Sequence, residues 1–154
     1  MIKEKLKAPN FELPSTDNTI FKLSEYLGKN IILFFYPRDN TKGCTLEAND
    51  FSNLNNRFKK NNSIIVGISK DSLESHLKFH KKYKFKFELL SDIEGKIIEK
   101  YNAWGMKKFL GKEYMGIIRT TVLINTKGKI HKIWSNVRVK DHAENVLKEL
   151  KNIQ

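Results

Sequence analysis

Unbroken apolar runs alternate along this chain with amphipathic stretches. Ile31 to Tyr36 is an uninterrupted β-branched and aromatic run, which predicts a strand covered on both faces, and Pro37 ends it because proline offers no ladder donor. The polar loop Arg38 to Gly43 follows. Cys44 then opens a helix on which Leu46, Phe51, Leu54 and Phe58 mark an apolar face, ending near Lys59 to Asn62. Ser63 to Ser69 reads as a second buried strand, and strand, long helix and strand make a parallel βαβ unit.

The flanking segments are shorter. Pro9 to Leu13 and Thr19 to Leu23 alternate around the turn formers Ser15 to Asn18 and predict a leading β-hairpin. Ser24 is placed to cap a brief helical turn through Leu27, closed by Gly28. Ser72 begins a helix to about Tyr83, Leu89-Leu90 reads as a short edge strand, and Asp92 caps a helix from Gly95 to Tyr101. Asn102 to Gly116 shows no period and is expected to be a long irregular loop. Arg119 to Ile124 and Lys129 to Trp134 flank Asn125-Thr126-Lys127-Gly128, the chemistry of a tight antiparallel hairpin, and a last helix runs from Lys140 to about Ile153.

The 154 residues suffice for one domain spanning 1–154 with a real core, which a hydrophobic fraction of 40% supports. The formal charge of +12 is large, but the arginines are only Arg38, Arg57, Arg119 and Arg138, and the lysines are spread along the chain. The densest basic run, Lys78 to Lys86, is interleaved with Phe79, Tyr83 and Phe85; it reads as a solvated helix face in preference to a nucleic-acid patch. Such a charge would still attract polyanions weakly at low salt. Met1 to Lys7 lacks the apolar stretch of a signal peptide, and no run is long enough to span a membrane. A cytoplasmic protein is expected, with a removed organelle-targeting extension left open.

Cys44 is the only cysteine, so no internal disulfide can form. A lone cysteine is ordinarily a small buried hydrophobe. Here it follows Gly43 at the mouth of a helix among polar neighbours, where free backbone N–H groups and the helix dipole favour a thiolate. His76, His80, His131 and His142 show no ligand set with cysteine or carboxylates, so no metal and no cofactor is expected, and the four rings are read as solvated.

Tyr36-Pro37, Thr41 and Cys44 form a Pro-x-x-x-Thr-x-x-Cys pattern that resembles the peroxiredoxins, and the wider match is to their bacterioferritin-comigratory (PrxQ) branch. Ala8-Pro9-Asn10-Phe11, Gly43 to Ala48, Gly116 to Thr121 and Lys140 to Glu144 extend the resemblance over nearly the whole chain. It implies a three-layer α/β/α thioredoxin fold with an N-terminal β-hairpin and an inserted helix. It also implies a peroxidase in which Cys44 attacks hydrogen peroxide or an alkyl hydroperoxide.

By that resemblance the Thr41 hydroxyl bonds the thiolate and the peroxide oxygen, Pro37 shields the sulfur, and the Arg119 guanidinium lies over it. Read without the family, Thr41 is a turn or cap residue, Pro37 a strand end and Arg119 a snorkelling surface residue. Glu47 either caps the helix start or positions an arginine. Tyr36, Gly43, Trp104, Arg38 and Asp39 are candidates for the surrounding layer.

Two positions depart from the family. Many PrxQ proteins carry a second cysteine where this chain has Asn49, and Met106 stands where family members often have the Glu of Trp-Gly-Glu-Lys. With no other cysteine, a sulfenic acid on Cys44 needs an external thiol such as thioredoxin, glutaredoxin or glutathione, provided that Asn49 is the native residue. The expected enzyme is therefore a single-cysteine peroxidase, and a monomer is expected. The competing reading is a thioredoxin-fold binding module whose basic surface meets nucleic acid or a protein.

Overall fold

The computed structural model describes residues 2–153. Its centre is a five-stranded sheet of β3 (Asn30–Phe35), β4 (Ser63–Ser69), β5 (Glu88–Ser91), β8 (Thr120–Ile124) and β9 (Ile130–Trp134), in the spatial order β5-β4-β3-β8-β9. β3, β4 and β5 are parallel, while β8 is antiparallel to both β3 and β9.

Period-two alternation along β3 feeds two cores. Ile31, Leu33 and Phe35 join Phe11, Phe21, Ile98 and Tyr101 on one face; Ile32, Phe34 and Tyr36 join Phe51, Phe58, Phe79, Val146 and Leu150 on the other. The second face is covered by α1 (Lys42–Lys60), α2 (Leu73–Tyr83) and α4 (His142–Asn152). The first is covered by α3 (Lys96–Lys100) and by the leading hairpin of β1 (Glu12–Pro14) and β2 (Ile20–Lys22). This is a three-layer thioredoxin-type arrangement. At Gly67 of β4 an added Cβ would lie 2.7 Å from Phe34 Cζ and 2.9 Å from Leu89 Cδ2, so ring and leucine occupy the space a side chain would need.

Side-chain hydrogen bonds fix the starts of two helices. Ser72 Oγ accepts from Ser75 N–H at 3.1 Å at the start of α2. Asp92 Oδ2 accepts from the amides of Ile97 at 3.0 Å and Ile98 at 2.8 Å, tying down the first turn of α3. Ser24 does not cap its turn: Leu23–Tyr26 is a short 3₁₀ segment with no side-chain cap bond.

One expectation fails outright. The stretch read as irregular contains a second antiparallel hairpin, β6 (Trp104–Phe109) and β7 (Lys112–Ile117), turning at Leu110 and Gly111 with φ of 51° and 78°. Two consecutive positive φ values make the two-residue turn that matches strand twist. Leu-Gly does not advertise such a turn as Asn-Gly does, and Lys107, Lys108 and Lys112 obscure the alternation.

Candidate active site

Antiparallel pairing of β3 with β8 builds the site. Phe35 opposes Thr120, so the residues just past that pair, Tyr36 and Pro37 on one strand and Arg119 on the other, emerge together at the C-terminal end of β3. The chain then turns through Arg38 to Thr41 into α1, whose first intrahelical bond runs from Thr45 N–H to Thr41 C=O at 2.9 Å. Cys44 lies one residue earlier, in the turn whose amides point out of the helix end.

Cys44 is only 1% exposed and packs in the core that contains Tyr36, Ala48 and Phe51. Arg119 Nη2 donates to Cys44 Sγ at 3.4 Å, and Nη1 of the same guanidinium donates to Glu47 Oε1 at 2.7 Å. Glu47 stands three residues beyond Cys44 on α1, so carboxylate and sulfur share a helix face one turn apart. Of its two sequence readings, arginine positioning is the one the geometry supports. Burial pushes the Glu47 carboxyl up to about 7, against the pull of Arg119, and Oε2 has no hydrogen-bond partner among the described residues. Gly43 permits this approach, since a Cβ there would lie 3.3 Å from Arg119 Nη2.

Thr41 is the N-cap of α1, but its hydroxyl donates to the Arg38 carbonyl at 2.8 Å and not to the sulfur. The oxygen's lone pairs stay available as acceptors. Pro37 lines a surface groove together with Arg119. Arg38 is exposed and enters only through its carbonyl. Trp104 is not brought to Cys44: it pairs with Ile117, carries the Lys70 ammonium 4.8 Å above its ring and packs on the core of the opposite sheet face. Asn49 faces a polar groove lined by Ser52, Tyr83 and Lys84, as a five-residue helical step from Cys44 requires.

The loop between Pro37 and Thr41 has an anchor. Asp39 is buried; its carboxylate accepts from Tyr36 OH at 2.7 Å and Ser75 Oγ at 2.8 Å, and lies 2.7 Å from His76 Nδ1. Its own amide donates to Asp71 Oδ2 at 2.9 Å. His76 Nε2 faces the Leu90 carbonyl at 2.9 Å, and because a carbonyl only accepts, that nitrogen carries a hydrogen. Burial alone would raise the Asp39 carboxyl, yet the bonds from His76, Tyr36 and Ser75 hold it below the usual carboxylate range.

This network corrects the histidine reading. His76 is fully buried and His142 nearly so, the latter 2.8 Å from Thr121 Oγ1 between the rings of Phe51 and Trp134. His80 bonds the Phe87 carbonyl at 2.8 Å, and His131 lies 3.8 Å from Glu149. The available signal was that His76 stands three residues before the core residue Phe79, on the same helical stripe. Asp39, Asp71 and His76 could place ligand atoms within 4.8 Å of one another, a grouping that spacing did not suggest, but each is already committed to loop-anchoring hydrogen bonds.

Residues 5–133 match the AhpC/TSA family. The chain is 46% identical over 147 residues to Peroxiredoxin Bcp of Bacillus subtilis, covering 96% of this chain and 94% of that protein. The chain belongs to the AhpC/TSA family, within its Bcp/PrxQ peroxiredoxins. A cysteine-to-serine mutant of PrxQ from Xylella fastidiosa superposes with a TM-score of 0.93 at 32% identity, covering 99% of this chain and 98% of that one. The bacterioferritin comigratory protein of Xanthomonas campestris, described for its alkyl peroxide reduction activity, superposes at 0.88 with 34% identity over 93% and 91% of the two chains. As a peroxiredoxin, the chain is a thiol-dependent peroxidase. Among the described residues no helix is long and apolar enough to cross a membrane.

Proposed function

We propose that this peroxiredoxin reduces hydrogen peroxide and alkyl hydroperoxides through Cys44 alone and is recycled by a thiol from outside the chain. The observation that carries the reading is the guanidinium of Arg119, 3.4 Å from the sulfur and fixed by Glu47. The thiolate attacks one peroxide oxygen. An S–O bond forms as the O–O bond breaks, sulfur loses two electrons, and the departing oxygen takes a proton to leave as water or alcohol. Negative charge moves from sulfur to that oxygen, and a preorganised cation can follow it without reorganising. Thr41, with lone pairs free, serves as acceptor for the peroxide O–H, while Pro37 limits water at the sulfur.

Recovery takes two thiol equivalents. The first attacks the sulfenic sulfur, releasing water and leaving a mixed disulfide; the second displaces Cys44 as thiolate. Alkyl peroxide reduction by the Xanthomonas relative supports the wider substrate range. The absence of a second cysteine supports the external thiol. A single domain acting as a monomer in a reducing compartment such as the cytoplasm fits this cycle.

Stopped-flow oxidation of the reduced protein by hydrogen peroxide, beside Cys44→Ser, tests the assignment. Fast oxidation abolished in the serine variant is expected. Oxidation no faster than that of free cysteine would overturn it.

A further inference from the structure

On the Arg119 side chain that contacts Cys44 opens a groove of about 360 Å³ whose lining includes Met106, Lys107, Lys108, Ile118, Arg119 and Val137. Its charge is one-sided. Arg119 is committed to Glu47 and to the sulfur, and Lys108 lies 3.5 Å from Glu113. Lys107 forms no ion pair among the described residues, and no carboxylate lines the groove.

Lys107 is held over the hairpin by the absence of a side chain at Gly116. A Cβ there would stand 3.1 Å from Lys107 Cδ, so the lysine stem crosses the glycine backbone. It is half-buried, and burial draws its ammonium below its ordinary value, with the Arg119 cation adding to that and Cys44 opposing it. A half-buried cation with no carboxylate in ion-pair reach, in a groove it shares with the Arg119 that touches Cys44, is placed to take up an anion. Met106, Ile118 and Val137 give the same groove an apolar wall.

We propose that this groove is a carboxylate-binding subsite in which Lys107 holds the anionic end of a molecule that presents its reactive group to Cys44. The proposal rests on Cys44 being the reacting atom. The carboxylate can belong to the peroxide, as in a hydroperoxy acid whose chain lies along Met106 and Ile118, or to the reductant, as in an acidic low-molecular-weight thiol. A Cys44 residue only 1% exposed favours small reactants over a folded protein's thiol in this conformation.

The test uses matched pairs that differ only in the carboxylate. Oxidation of reduced wild-type protein, Lys107→Gln and Lys107→Arg is followed with 6-hydroperoxyhexanoic acid and its methyl ester. Reduction of the sulfenic form is followed with glutathione and its diethyl ester. In the wild type the acid should outpace its ester by about tenfold in kcat/KM in at least one pair, the scale of one charge-assisted hydrogen bond. In Lys107→Gln that ratio should fall near one, and Lys107→Arg should restore most of it. Loss in the peroxide pair assigns the subsite to substrate, and loss in the thiol pair assigns it to the reductant. Acid-to-ester ratios near one in the wild type, or unchanged in Lys107→Gln, would overturn the subsite. Wild-type oxidation by hydrogen peroxide is measured alongside, because its failure would overturn the role of Cys44 and not the subsite alone.

Discussion

Removing the Arg119 guanidinium should slow peroxide attack far more than it unsettles the fold. Arg119→Met keeps much of the stem and deletes the donors at 3.4 Å from Cys44 Sγ and 2.7 Å from Glu47 Oε1. At 3.4 Å a unit charge pair is worth about 1 kcal/mol at the dielectric of water and about 5 kcal/mol at an effective value near 20. The Arg119 side chain is 17% exposed, which places the site between those limits. Part of that energy is already present before the reaction and cancels in the barrier, so a rate loss of about 10²- to 10³-fold is expected, the range for a lost transition-state donor.

Glu47 is left buried without its cation and takes up a proton, so the fold survives on a neutral carboxyl. Glu47→Gln should therefore add little to Arg119→Met, because the two act as a unit. Single-turnover oxidation at pH 8, with near-UV circular dichroism as the control for folding, measures this. A folded Arg119→Met protein within threefold of the wild-type rate would refute the electrostatic argument.

Because burial pushes the Glu47 carboxyl up to about 7, it takes a proton as pH falls through that value and ceases to anchor Arg119 as an anion. The ratio of wild-type to Glu47→Gln oxidation rates should rise from near one at pH 5.5 to its plateau by about pH 8, and a pH-independent ratio would count against it. His142 is lowered from 6.5 to about 4 by burial and by Arg119, so its stabilising contribution is full above about 6.5 and is lost as pH falls toward 4. Thermal unfolding of His142→Gln should show a shallower acid decline than the wild type, and parallel curves would contradict this. Gly67→Ala forces a methyl against Phe34 and Leu89 in the buried sheet and should cost about 1 to 3 kcal/mol in denaturant unfolding. Wild-type stability there would mean that the core yields more easily than its contacts indicate.

The parts of the molecule that reveal themselves in sequence are those whose chemistry is local. Ile31 to Tyr36 reads as a buried strand from its unbroken apolar run, and the place of Cys44 behind a glycine at a helix start is likewise written in adjacent residues. Arg119 was reachable only through the resemblance, since β8 places it beside Pro37 by antiparallel pairing across about eighty residues of chain. The β6–β7 hairpin was hidden because a surface sheet without a buried face has no apolar alternation to read. The same long-range pairing hid the partners of His76: one polar atom in a helix stripe looks solvated until Asp39 and the Leu90 carbonyl arrive from distant segments. Trp104 was drawn toward the site by its place in a motif, whereas β6 directs it to the opposite face of the sheet.

Intact-protein mass spectrometry after peroxide treatment tests the central claim most directly. With Cys44 the only cysteine in the chain, peroxide alone should add one oxygen and then a second at Cys44, with no loss of two hydrogens at any stage. Limiting glutathione added to the singly oxidised protein should replace that oxygen with a glutathionyl mixed disulfide on Cys44. Oxygen accumulating at methionine while Cys44 stays reduced, or sustained peroxide consumption with no thiol present, would contradict the account.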